Sequence, residues 1–288
     1  MFERNETFDI GFYCLAFIDI LNQKEALRKI HKLPDTEEEK EEFITQWREA
    51  FGVVDTYRSS FDKFFEFHSR PEQLNLPKLD REKTELMTRF LNYEIKKQLF
   101  SDTMIYYVSI MEHPDRLAVT GIYTMLLACA GTFLVTLSDG LVCRGGIEAG
   151  LAGEFYKGEV YGPALYHAHR LESEVAKYPR IVFGAEFLQY IEAELANPGQ
   201  SLTDKYRRTM AQKCKNWLSH DTDGVTILDY AGSAARNTFP ESGELVDKAL
   251  AFAEAELDKF QREGNAKLSE RYSLLRQYLT TRRDHVWR

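Results

Sequence analysis

Residues Leu117 to Leu137 carry no charged side chain over a length that would cross a bilayer. Such a stretch must leave water, either into lipid or into a core large enough to surround it. Thr120, Gly121, Thr124, Gly131, Thr132 and Thr136 lie within it, and the flanking sequence is polar. A buried core helix is therefore predicted, with no stable membrane insertion. The chain can build that core: 44% of its 288 residues are hydrophobic, enough for one large domain or two modest ones.

Lys and Arg number 37 against 45 Asp and Glu, a formal charge of -8. That balance excludes a general nucleic-acid or anionic-membrane binder, since phosphate-rich surfaces recruit positive faces. A nucleotide substrate is not excluded, because a small anion needs only a local positive site. Cys14, Cys129, Cys143 and Cys214 form no Cys-x-x-Cys pair, so neither structural zinc nor a disulfide framework is expected. Met1-Phe2-Glu3-Arg4-Asn5-Glu6 lacks the basic head and apolar run of a signal peptide. A reduced, cytoplasmic protein is predicted.

Phe12 to Ile20 is a compact apolar run broken by one acid, Asp19, and reads as a buried strand. The acidic run Asp35 to Glu42 reads as a solvated helix start. Tyr57, Phe61, Phe64 and Phe65 recur at helical spacing and predict a core-facing stripe. Arg70 to Lys83, with two prolines and dense charge, reads as a loop or insertion. Two apolar runs flank Ser101-Asp102-Thr103 and predict a β-hairpin with Asp102 at its turn. Leu141 to Gly150 reads as a strand whose glycines let another backbone approach closely. The order is strand, helix, hairpin, helix, strand, an α+β sandwich. Ala196 to Ser201 marks a boundary, so residues 1–198 are expected as one domain and 199–288 as a helical C-terminal extension.

Two sets of residues carry candidate chemistry. Asp19 and Asp102 would emerge at one sheet edge if their strands are neighbours. Paired carboxylates call for a cation, and Mg²⁺ suits them; strand-end acids are also common turn residues. In Gly158 to Ser173 a Gly-Pro turn opens a helix with Tyr166 and Arg170 on one face. Arg170 is either a fork for phosphate oxygens or a surface partner for Glu172 or Glu174. His167 and His169 point about 200° apart on a helix and cannot share an ion.

Taken together and in order, these pieces resemble class III nucleotide cyclases. Phe17-Ile18-Asp19-Ile20 looks like the first metal motif and Phe100-Ser101-Asp102-Thr103 the second. Arg144 to Gly150 is similar to the family's arginine-glycine strand, and Gly158 to Ser173 to its helix ending in Arg-Leu-x-Ser. The resemblance covers about residues 10 to 195 and implies a ferredoxin-like βαββαβ sandwich. It also implies a homodimer with two composite sites for a nucleoside triphosphate. Asp19, Ile20 and Asp102 of one subunit would hold two Mg²⁺ or Mn²⁺ ions. Arg170 of the other would stabilise charge on the α-phosphate, and the backbone of Ile20 to Gln23 would approach the phosphates.

The chain departs from the family pattern at informative places. Asn22 and Gln23 stand where a glycine and a phenylalanine are usual, and Tyr166 replaces the asparagine that orients the ribose. The base-reading positions fall on Gln98 and Glu159. An accepting Glu159 and a donating Gln98 suit uracil or cytosine. With the bulk of Tyr166, this pattern is similar to the bacterial pyrimidine cyclases of anti-phage (Pycsar) operons, which make cyclic UMP or cyclic CMP. The alternatives are an adenylate or guanylate cyclase, an inactive nucleotide-binding protein of the same fold, and a structural dimerisation module. A diguanylate cyclase is disfavoured because no Gly-Gly-Asp-Glu-Phe turn is present.

Overall fold

A computed structural model describes residues 9–21, 23, 27–28, 30, 32–69, 90, 93–113, 116–156 and 158–287. The predicted loop at Arg70 to Lys83 lies outside them.

The chain is mixed α/β. Strand β1 (Asp9–Ile20) leads to helix α1 (Glu37–His68), the hairpin β2 (Lys96–Phe100) and β3 (Thr103–Ser109), helix α2 (Ala118–Ser138) and strand β4 (Cys143–Tyr156). Within the sheet these strands lie in the order β2-β3-β1-β4, each antiparallel to its neighbour. The central strand β1 therefore has a hydrogen-bonding partner on each side. Its alternation splits the core: Cys14, Ala16, Ile18 and Ile20 face the layer built by α1 and α2. Tyr13, Leu15 and Phe17 face the other way, beneath Ala164 and Leu165 of a short helix.

Local chemistry explains the elements. Thr36 caps α1: its hydroxyl accepts from the Glu39 N–H at 3.2 Å while the Glu39 carboxylate accepts from the Thr36 N–H at 3.3 Å. The acidic helix start is as expected. Tyr57 and Phe61 of the aromatic stripe are buried, and Phe61 stacks on Tyr106. Helix α2 is buried along nearly its whole length. Two of its threonines are satisfied in place, Thr136 donating to the Thr132 carbonyl at 2.8 Å and Thr124 sharing a 2.6 Å hydrogen bond with Tyr93, while the Thr120 and Thr132 hydroxyls are buried without a partner among the described residues.

After β4 come β5 (Glu159–Tyr161), the short helix α3 (Pro163–Arg170), a single π turn (Leu171–Val175), β6 (Ile181–Phe183) and α4 (Ala185–Ala196). β5 pairs with β4, and β6 lies parallel to β4 on the sheet's main path. The remainder comprises α5 (Leu202–Lys215), β7 (Leu218–His220), β8 (Thr226–Leu228), α6 (Ser233–Thr238), α7 (Ser242–Arg262) and α8 (Ala266–Val286). Residues 199–288 were expected to be helical, but β8 and β7 continue the same sheet beyond β6. The apolar alternation that announces a strand is too brief at three residues to be read beside long helices. Trp217, Val246 and Leu275 from this segment share one apolar core with α2.

Candidate active site

The predicted hairpin places Asp102 in the two-residue turn between β2 and β3. Ser101 precedes it at φ 53°, a left-handed conformation uncommon outside glycine. The Arg58 guanidinium from α1 holds this turn, donating to the Ser101 carbonyl at 2.8 Å. Asp19 sits at the adjacent end of β1, opposite Thr103 on one side and Arg144 on the other. Beyond the ladder, the Ile20 N–H donates to the Asp102 carbonyl at 3.1 Å. The topology thus brings both acids to one rim of the sheet.

Asp19 lies in a crowded negative environment. Its carboxyl is pushed up to about 6 by burial first, then by Glu172 and Asp102. The Thr103 hydroxyl, which donates to it at 3.1 Å, and Arg144 act in the opposite direction. Sequence reasoning treated Glu172 only as a possible surface partner of Arg170. Glu172 is instead 3% exposed and accepts from Arg144 Nε at 2.7 Å. Helical spacing separates the two acids: Glu174, four residues after Arg170, shares its face, whereas Glu172, two residues on, points about 200° away and into the protein.

Helix α3 can lie close to β4 because Gly146 has no side chain. A Cβ there would come within 2.3 Å of the Ala168 carbonyl, as the expected close backbone approach requires. The helix begins at Gly162, at φ 140°, followed by Pro163 at its first turn. Tyr166 and Arg170 share an exposed face, the guanidinium 5.9 Å from the ring centre. Arg170 donates to Glu174 from Nη2 at 2.7 Å and Nε at 3.0 Å, within its own chain. His169 packs edge-on against Phe17 and His167 against Tyr166, so the two histidines serve different neighbours.

Gln98 and Glu159 also come together. The Gln98 side-chain oxygen accepts from the Val160 N–H at 2.9 Å. That bond fixes the amide orientation: its NH₂ remains to donate, and Glu159, the residue before Val160, is exposed. Gln23 is buried and lines a cavity against α1 together with Asp102. Asn22 lies outside the described residues.

The donor set at the rim suits a hard divalent cation. Asp19 and Asp102 offer oxygen ligands in an environment that resists uncompensated negative charge, and Mg²⁺ needs only one or two carboxylates beside phosphate oxygens and water. Among the described residues no group of three or more His, Cys, Asp or Glu side chains forms a self-sufficient metal cage. The four cysteines are buried thiols. Comparison with known protein families gives no match, and neither does comparison with curated proteins.

Proposed function

We propose that the chain is a nucleotide cyclase of the class III kind, working as a homodimer on a pyrimidine nucleoside triphosphate. Its product would be cyclic UMP or cyclic CMP, a second messenger suited to anti-phage defence. The observation that carries this reading is the shared rim of Asp19 and Asp102, tied together through the Ile20 N–H and the Asp102 carbonyl. The antiparallel β2-β3-β1-β4 order, with helices in both crossovers, supports a ferredoxin-like βαββαβ unit.

In this reading Asp19 and Asp102 hold Mg²⁺ or Mn²⁺, with the backbone of Ile20 alongside. When bound, such ions neutralise the triphosphate and acidify the ribose 3′-hydroxyl. The 3′ oxygen attacks the α-phosphorus, its proton leaves to solvent, and the bond to the departing pyrophosphate breaks. Arg170 from a second copy faces the α-phosphate oxygens. Its present bond to Glu174 is a solvent-exposed ion pair of the weak kind, so exchanging that carboxylate for phosphate costs little. Tyr166 on the same helix face places a phenol near the ribose. Gln98 donates to the base and Glu159 accepts from it, which fits uracil O4 with N3–H, or cytosine N3 with its amino group.

A donor beside an acceptor also matches the N1 and amino edge of adenine, so a purine substrate is the second reading. Incubating the purified protein with UTP, CTP, ATP and GTP in turn, with Mn²⁺, and identifying products by mass tests both. Cyclic UMP or cyclic CMP is expected. A purine product moves the assignment to the second reading, and no cyclic product from any triphosphate rejects cyclase activity.

A further inference from the structure

Next to the Asp102 turn, on the α1 side of the sheet, lies a cavity of about 370 Å³, within the range that encloses small ligands. Its walls are unlike a phosphate site. Trp47 and Phe51 of α1 and Leu99 of β2 line it, and all three remain substantially exposed. Large apolar side chains around an open cavity favour a flat, apolar occupant.

Two polar groups give that occupant a direction. Gln23 lines the cavity at 7% exposure, and its amide has no hydrogen-bond partner among the described residues. Arg58 also lines the cavity. It donates to the Ser101 carbonyl, its Nε is buried without a partner, and no described carboxylate pairs with it. A lone guanidinium at an apolar cavity calls for an anion, and the unpaired amide supplies a further hydrogen bond. Asp102 at the cavity's edge disfavours a second negative charge.

We propose that this cavity binds a small aromatic monoanion, its rings against Trp47, Phe51 and Leu99 and its single anionic group at Arg58. The cavity borders the candidate metal rim at Asp102, but occupancy by such an anion does not depend on the cyclase reading.

Anilinonaphthalene sulfonate supplies fused rings with one sulfonate, and N-phenylnaphthylamine is its uncharged counterpart. Titration of the full chain by fluorescence, without nucleotide, is expected to give one saturable sulfonate site per chain. Ala50→Phe, which fills the cavity, should weaken binding of both probes at least about tenfold. Arg58→Gln should weaken the sulfonate about tenfold and leave the amine within about twofold. Trp47→Ser, at an exposed wall position, repeats the test should Ala50→Phe fail to fold, with about fivefold weaker binding of both probes expected. Non-saturable binding, or sulfonate affinity unchanged in Arg58→Gln, overturns the proposal. Sedimentation of the same samples covers the other occupant. A dimer lost in Ala50→Phe with probe binding unchanged gives the face to a second copy and also overturns it. Because no nucleotide is present, an inactive protein can still support the site and an active cyclase can still refute it.

Discussion

The N–H of Ile20 donates to the carbonyl of Asp102 at 3.1 Å, so the residue after the first acid of the rim is bonded to the second acid's own backbone. The spacing of Asp19 and Asp102 is thereby set by the sheet and not by their side chains. Substituting either carboxylate removes charge without removing that bond. Asp19→Ala and Asp102→Ala should each abolish cyclic nucleotide formation, by mass analysis, while circular dichroism stays that of the parent. Loss of fold in both would make the acids structural.

The raised Asp19 carboxyl has a stability consequence with a definite sign. The folded state holds the proton up to about pH 6, above the ordinary value of 3.8. Its contribution to stability is thus fully present below 3.8 and is lost as pH rises through 6. Asp19→Asn keeps an acceptor for Thr103 and removes the charge. Thermal melts should show it more stable than the parent by roughly 1 kcal/mol at pH 8, after allowance for solvent screening, and no different at pH 3. Equal melting differences at both pH values would show that the charge is not the cause.

Divalent ions should reverse that difference. Mn²⁺ bound at the rim offsets the repulsion among Asp19, Asp102 and Glu172, so it should raise the melting temperature of the parent. The rise should be larger at pH 7.5 than at pH 5, where the proton competes. Asp19→Asn should show little of it. A rise independent of pH and of Asp19 would place the ion elsewhere.

Glu172 and Arg144 test the buried side of the rim. Both side chains are largely shielded from solvent, so Glu172→Ala leaves a guanidinium without its partner and should cost about 3–5 kcal/mol in chemical denaturation. Adding Arg144→Met should recover much of that loss, because the unpaired charge is then gone. If the double variant is as unstable as Glu172→Ala alone, packing and not charge explains the effect.

Arg170→Ala should lower kcat strongly and change KM little, because its gain falls mainly in the transition state. Stability should barely change, since the bond to Glu174 is exposed. Turnover at the parent rate would remove Arg170 from the site.

What could be read before the fold was known follows from periodicity and turn chemistry. The β1 run, the hairpin at Asp102, the Gly-Pro opening of α3 and the buried α2 each have a local signature, and each is present. The juxtaposition of Asp19 with Asp102 required only that β1 and β3 be neighbours. The partner of Glu172 was not legible, because Arg144 stands 28 residues away on another element and leaves no local signature. Nor were β7 and β8, whose pairing is with β6 and with each other and leaves little trace in three residues. The orientation of Gln98 depended on a neighbour in β5, distant in sequence.

Helix α2 has a mean hydropathy of 1.8 over its most apolar window and is screened by side chains drawn from beyond residue 199. A protein ended at residue 198 would strip that screen and bare a segment that lipid accepts as readily as protein does. The last ninety residues are thus a sleeve: they keep the most oil-like part of the chain out of contact with water and with membranes alike.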